Sequence, residues 1–480
     1  MKILGFIISA ALLILLTGCA SPSLQNPQNI VIVNPSGSLI DSNEKQLTND
    51  LWMANIFGHV LTNAPSRTNI LIFFQGGLNY YDDGVKRANN LSSAILADAT
   101  SPYYPIFFDW DSSLFSSWKD HVTYSLNGSG QHSWKLLLVN PVADIGRMIG
   151  RIPATLGFAS EDAAHELFEE ILHLRLVTKQ IKLTDTHHSH HSMSLLVRNP
   201  QEITNAENHL SEKGMHFSFG PTNKPSISAF WSYYFRALEG SLVAYPGMIG
   251  AVFVDTGGKA GWDQMCRRTD TMFTTPDTFA DGGTEIFASS LKQFLKTNAN
   301  YSVTIVAHSM GTIIANEIIR RHGPDLHIKN IVYMAAACGI EDFTKSVVPF
   351  LENNTNVHFY NLCLSPENEI AENHIDFKFN YDVPAEIITP HGSLLQWIDD
   401  YYSTAQTRFG WTMGKFENVL PGMEASVIPK SVYSRITVTC FDVGPLQKIG
   451  PQKHGDFTQV RFWEPDFWKG EWNTNMFLPN

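Results

Sequence analysis

One short run carries the strongest chemical signal in the sequence: Val303-Thr304-Ile305-Val306-Ala307-His308-Ser309-Met310-Gly311-Thr312. A serine hydroxyl is a weak nucleophile until a neighbouring base takes its proton. The residues around Ser309 make it a candidate for that role. A β-branched apolar stretch leads straight into it. A helical pattern follows, Thr312–Arg321, with Arg320, Arg321 and His322 at its end and Gly323-Pro324 as its stop. Strand, serine, helix is the arrangement of a nucleophile elbow, whose tight turn lifts the hydroxyl above a sheet. Such a turn has space only for small residues two before and two after the serine. Ala307 and Gly311 meet that demand, although Ala307 stands where the motif usually has glycine.

On these residues the chain resembles the α/β-hydrolase superfamily, and within it the serine esterases and lipases. The resemblance spans most of residues 65–480, at the level of motifs. It implies the chain order Ser, acid, His, with no metal and no organic cofactor. It also implies an oxyanion hole in the loop after an early strand. Ile70-Leu71-Ile72-Phe73-Phe74-Gln75-Gly76-Gly77-Leu78-Asn79 fits that loop, with Gln75 where the family usually has His. By resemblance the donors are the N–H groups of Gly77 or Leu78 and of Met310.

The base is then sought among His322, His327, His358, His374, His391 and His454. His454 is preferred, because Lys453-His454-Gly455-Asp456-Phe457 follows the last strand pattern, where the family's histidine sits. His391, which opens His391-Gly392-Ser393-Leu394, is the alternative. The acid is expected after Val357–Leu364, in Ser365-Pro366-Glu367-Asn368-Glu369. Glu369 is favoured, Glu367 is its alternative, and Glu341 and Asp342 are outside candidates. The implied activity is cleavage of a carboxylic ester, lipid esters included, through an acyl-enzyme. The same residues would serve acyl transfer to an acceptor other than water. A hydrolase fold can also persist as a silent binding or envelope-scaffold module.

These residues are far apart in sequence, so a sheet must gather them. Asn69–Phe74, Pro105–Phe108, Val303–Val306, Ile328–Met334, Val357–Leu364 and Ile436–Phe441 are short apolar runs bounded by turn residues, as buried strands should be. Helical patterns at Val85–Ala97, Thr312–Arg321 and Phe343–Leu351 lie between them. That alternation predicts an α/β fold with a mostly parallel sheet. One gap breaks the rhythm: about 190 residues separate Trp110 from Tyr301, where a crossover needs about a dozen. Residues from about 112 to 290 therefore read as a large, largely helical insertion, a cap before the elbow. Ser160 is suited to cap a helix running through Leu167, Ile171 and Leu174. Phe158, Phe168, Leu172 and Phe230 are apolar enough to shield an acyl chain. Asp109-Trp110-Asp111-Ser112 ends a strand at the active edge, and Arg267-Arg268 reads as a salt-bridged pair.

The bulk composition agrees with a folded protein. The 480 residues are 44% hydrophobic and 17% charged, which excludes wholesale disorder. The 34 basic residues are outnumbered by 46 acidic ones, with no basic cluster, so a nucleic-acid partner is not expected. Residues 1–18 read as a signal peptide with one Lys and a long apolar run. Its end, Leu16-Thr17-Gly18-Cys19, resembles the lipobox of bacterial lipoproteins. That resemblance implies a lipid on Cys19, a membrane anchor, and a place in the cell envelope. Ala20 rather than Asp after Cys19 favours the outer membrane. Residues 19–45 then form a tether, and 46–480 the catalytic domain. Cys266, Cys338, Cys363 and Cys440 have no CxxC spacing and read as buried free thiols. His187-His188-Ser189-His190-His191 reads as a solvated loop rather than a metal site.

Overall fold

The computed structural model describes residues 29–41, 49–63, 66–77, 81–113, 200–219, 251, 254–276, 279–370, 372, 392–403, 408–441, 450–472 and 476–478, with scattered positions between 116 and 156. Among the described residues, nine strands form one sheet. They are β1 (Ile30–Val33), β2 (Leu39–Ile40), β3 (Asn69–Phe74), β4 (Tyr103–Trp110), β5 (His216–Phe219), β6 (Ser302–His308), β7 (Ile328–Met334), β8 (His358–Leu364) and β9 (Ile436–Phe441). Their spatial order is β2-β1-β4-β3-β6-β7-β8-β9-β5. Only β2 runs antiparallel to its neighbour; every other pairing is parallel. The fold is therefore α/β with a mostly parallel sheet, as the alternation of patterns predicts.

The apolar runs are continuous because both faces of the sheet are covered. Consecutive phenylalanines show this directly. Phe74 packs on Phe108, and Phe108 meets Phe287 edge-on, on one face. Phe73 packs on Phe107 and Phe462 on the other. Phe287 belongs to the helix Gly283–Thr297, which carries the chain back to β6. Phe462 belongs to the C-terminal segment that follows β9.

Two expectations about organisation change. The tether read over 19–45 is interrupted: residues 19–28 lie outside the described residues, but Ile30–Val33 is a fully buried strand paired with Phe107–Trp110. Its four consecutive β-branched residues carry no alternation, and a short buried strand needs none. The second concerns residues 112–290. The described parts of this segment include the helix Pro200–Glu212 and β5, which joins the far edge of the sheet beside β9. They also include the helix Lys259–Thr271, whose Met265 Sδ would stand 3.6 Å from a Cβ on Gly77, just after β3. Phe158, Phe168, Leu172 and Phe230 lie outside the described residues. Arg268 is the buried anchor of the Lys259–Thr271 helix. Its guanidinium donates to the Asp111 carbonyl at 2.6 Å, to Ser116 Oγ at 2.8 Å and to Asp120. The four cysteines after residue 28 are free thiols, three of them buried. No described helix is long and apolar enough to cross a membrane.

Candidate active site

The strand order reverses direction between β3 and β6. From β3 the chain moves outward to β4, and from β6 it moves the other way through β7, β8 and β9. A crevice opens beyond the carboxyl ends of strands at such a switch point. Ser309 follows the last residue of β6, and Gln75-Gly76-Gly77 follows the last residue of β3. The two strands are in register to their ends, with Phe74 opposite Ala307.

Ser309 occupies the left-handed region, with φ +49°. Its N–H donates to the Met334 carbonyl at 2.9 Å, and its own carbonyl accepts from Thr312 and Ala337. The backbone is thus over-determined, which is how a strained residue is held. Its side chain is 1% exposed, and Oγ has no hydrogen-bond partner among the described residues. Met310 then begins the helix Gly311–His322. The first N–H groups of a helix have no acceptor inside it and favour negative charge nearby.

The small residue two after Ser309 is required by contact. A Cβ on Gly311 would overlap the carbonyl oxygen of Phe74 and sit 2.8 Å from that of Gln75. Within a helix, Gly→Ala ordinarily stabilises by about 1 kcal/mol. Here the overlap with main chain opposes that gain, at about 1–3 kcal/mol. Gly311→Ala is therefore expected to lower the midpoint of urea unfolding; an increase would show that the β3 loop can yield.

The Gln75-Gly76-Gly77 loop closes on the same serine. A Cβ on Gly76 would stand 2.8 Å from Ser309 Cβ and 2.9 Å from His308 Nδ1. A Cβ on Gly77 would stand 3.4 Å from Met310 Sδ and 3.6 Å from Met265 Sδ, so Gly77 and Met310 are neighbours. Leu78 lies outside the described residues. Gln75, where histidine is usual in the resembling family, braces the loop: its Nε2 donates to Asp109 Oδ1. Trp110 Nε1 donates to the Gln75 carbonyl and Ser112 Oγ to the Gly76 carbonyl, both at 3.3 Å. The Asp109–Ser112 run is thus the support of this loop. Burial pushes the Asp109 carboxyl well above the usual range, with the Gln75 hydrogen bond opposing.

His454 comes to the same edge. It opens the 3₁₀ turn His454–Thr458, and its ring centroid lies 4.9 Å from that of His308. Its N–H donates to Glu372 Oε2 at 2.8 Å. His391 lies outside the described residues. His322, another candidate, is occupied at the far end of its helix by Glu285, 2.9 Å away.

The acidic candidates separate. Glu369 is 1% exposed on the helix Pro366–Ile370. It accepts from Ser393 Oγ through Oε2, while Oε1 has no partner among the described residues. Burial pushes its carboxyl up to about 8; Ser393 and Lys415 pull the other way, and Glu372 and Glu417 reinforce the rise. The side chain of Glu367 lies outside the described residues. Glu372, three residues beyond Glu369, is the carboxylate that touches His454. The sequence reading missed it because nothing in Ala371-Glu372-Asn373 marks it as a site; only its spacing from Glu369 was available as a signal.

The raised Glu369 has a consequence for stability. The folded state keeps a proton there that the unfolded chain releases near the ordinary value of 4.5. Stability from this group is complete below 4.5 and is lost as pH rises towards about 8. One such proton changes stability by at most about 1.4 kcal/mol per pH unit. Glu369→Gln should flatten that slope when urea midpoints of the two proteins are compared at pH 5, 6.5 and 8. Parallel slopes would show that the carboxyl is ionised throughout.

No group of three or more His, Cys, Asp or Glu among the described residues is arranged to hold a metal ion. Comparison of the chain with protein-family models, with curated proteins and with solved structures finds no match.

Proposed function

We propose that the protein is a serine hydrolase of the α/β-hydrolase type that cleaves carboxylic esters. The observation that carries this reading is Ser309 itself. A non-glycine residue at φ +49° costs about 1–3 kcal/mol. A buried hydroxyl with no partner among the described residues costs a similar amount. Both costs fall on one residue at the switch point of a parallel sheet, which is where they would serve a nucleophile.

In this reading Ser309 Oγ attacks the ester carbonyl carbon while His454 takes its proton. The carbonyl oxygen becomes an oxyanion, held by the N–H groups of Met310 and of Gly77 or Leu78. The intermediate collapses, and His454 returns the proton to the departing alkoxide. Water then attacks the acyl-enzyme with His454 again as base, releasing the carboxylic acid and restoring Ser309. For the orienting acid, the bond from the main chain of His454 favours Glu372 over Glu369 and Glu367. An acid there fixes the turn that carries the imidazole, and its negative charge nearby favours the charged form of the ring.

Part of the 112–290 segment serves as the cap. Met265, from the helix Lys259–Thr271, meets Gly77 together with Met310, which supports an apolar boundary beside the oxyanion loop. Leu16–Cys19 supports lipidation of Cys19 and attachment to a membrane of the cell envelope; Cys19 lies outside the described residues. A fluorophosphonate probe tests the chemistry. It should label wild-type protein on the peptide bearing Ser309 and leave Ser309→Ala unlabelled. A folded wild type that resists the probe would overturn the reading.

A further inference from the structure

We propose that His308 is a positioning residue that holds the base His454 in place through its main chain. The inference rests on Ser309 and His454 being nucleophile and base. His308 is the last residue of β6 and the immediate neighbour of Ser309. Its Nε2 lies 2.9 Å from the carbonyl oxygen of His454, 146 positions away in sequence. A carbonyl oxygen only accepts, so Nε2 carries the proton and Nδ1 is bare. The two rings lie against each other, tilted by 51°.

His454 is therefore gripped at both ends of its own main chain. Its N–H donates to Glu372, and its C=O accepts from His308. The second bond ties the turn that carries the base directly to the strand that carries the nucleophile. The oxyanion loop belongs to the same stack, because a Cβ on Gly76 would press on both His308 Nδ1 and Ser309 Cβ. One ring thus contacts all three parts of the site.

The ring is also costly where it is. His308 is 6% exposed, and its Nδ1 has no partner among the described residues. An apolar side chain of similar size would fill the space without burying an unsatisfied nitrogen. What the imidazole supplies in return is the directed bond to His454. Burial holds its pKa down to about 4, with the His454 bond opposing and Arg87 reinforcing. It stays neutral, with a fixed tautomer, at pH values above that.

Two substitutions separate positioning from packing. His308→Leu keeps bulk and removes the donor. His308→Gln can present an amide N–H to the same carbonyl. Misplacing a catalytic group by about 1 Å costs roughly 100-fold in rate. His308→Leu should therefore lower kcat on a short-chain ester by roughly that factor, with KM within about twofold of wild type. The acid limb of its kcat/KM profile should also move, because the base is no longer held alike. His308→Gln should recover most of kcat and restore the limb. Wild-type kcat in His308→Leu, or a glutamine variant as poor as the leucine one, would overturn the proposal. A readout independent of turnover is the ¹⁵N spectrum of histidine-labelled protein. The resonances lost in His308→Leu should show the Nε2–H tautomer and not titrate between pH 5 and 9. An Nδ1–H tautomer or a titrating ring overturns the tie to His454 whatever the reaction is. Turnover that survives Ser309→Ala overturns instead the serine hydrolase reading.

Discussion

Ser309→Ala and His454→Ala are each expected to lower kcat by roughly 10⁶-fold on an ester that the wild type turns over, with folding intact. The two losses should coincide rather than add. Without the base, the hydroxyl is too weak a nucleophile; without the hydroxyl, the base has no proton to take. The double variant should therefore be about as slow as either single one. What remains should be the contribution of the oxyanion loop and of binding, roughly 10³-fold over water. The measurement is steady-state kinetics of the three variants beside their melting curves. A His454→Ala protein near wild-type rate would return the assignment of the base to His391. Losses that multiply would mean that the two side chains act in separate steps.

Exchanging the acid should give the next largest effect. Glu372→Gln is expected to lower kcat by roughly 100-fold, because Glu372 Oε2 accepts from the main-chain N–H of His454 and so fixes the turn that carries the proposed base, and misplacing such a group by about 1 Å costs about that much. Glu369→Gln should stay within about tenfold of wild type. Burial and the contact with Ser393 leave Glu369 pushed up to about 8, so at pH 7 an amide is close to its existing charge state. The comparison is internal, since both carboxylates lie in the same stretch of chain and differ in what they touch. A large loss at Glu369 with a small one at Glu372 would reverse the roles.

Much of the scaffold was legible because burial writes itself into composition. β3, β7 and β9 have the bounds that their apolar runs predict, and Gly323-Pro324 closes the helix after Ser309. Ser309 was legible because a tight turn restricts its neighbours, and Gly311 lies against the Phe74 carbonyl as that restriction demands. β1 was missed because a proline-bearing stretch just before it reads as tether. β5 was missed because His216-Phe217-Ser218-Phe219 is only half-buried at an edge and offers little apolar signal. The parts of the site that depend on pairing across the fold were not legible at all. Neither the grip of Glu372 on His454 nor the support of Gln75 by Asp109 leaves a mark in local sequence. Both are made by residues that share no element and no spacing rule.

The path of the chain between β4 and β6 also sets the order in which the molecule can assemble. β1, β3 and β4 pair with one another within the first 110 residues, and β6 to β9 pair within a later stretch. The two halves meet at the β3–β6 seam, where Asn69 faces Ser302. Closing so long a loop costs only about 2 kcal/mol more than closing one a tenth as long. Time is the larger penalty, because non-local pairings form slowly. β5 adds a further constraint, since it rests on β9 and cannot dock until the last strand has been synthesised. During synthesis or refolding the β3–β6 seam and the docking of β5 on β9 must therefore come late. Until then the edges of both half-sheets stand open to other chains, so the yield of active protein should depend on how dilute, or how well chaperoned, that interval is.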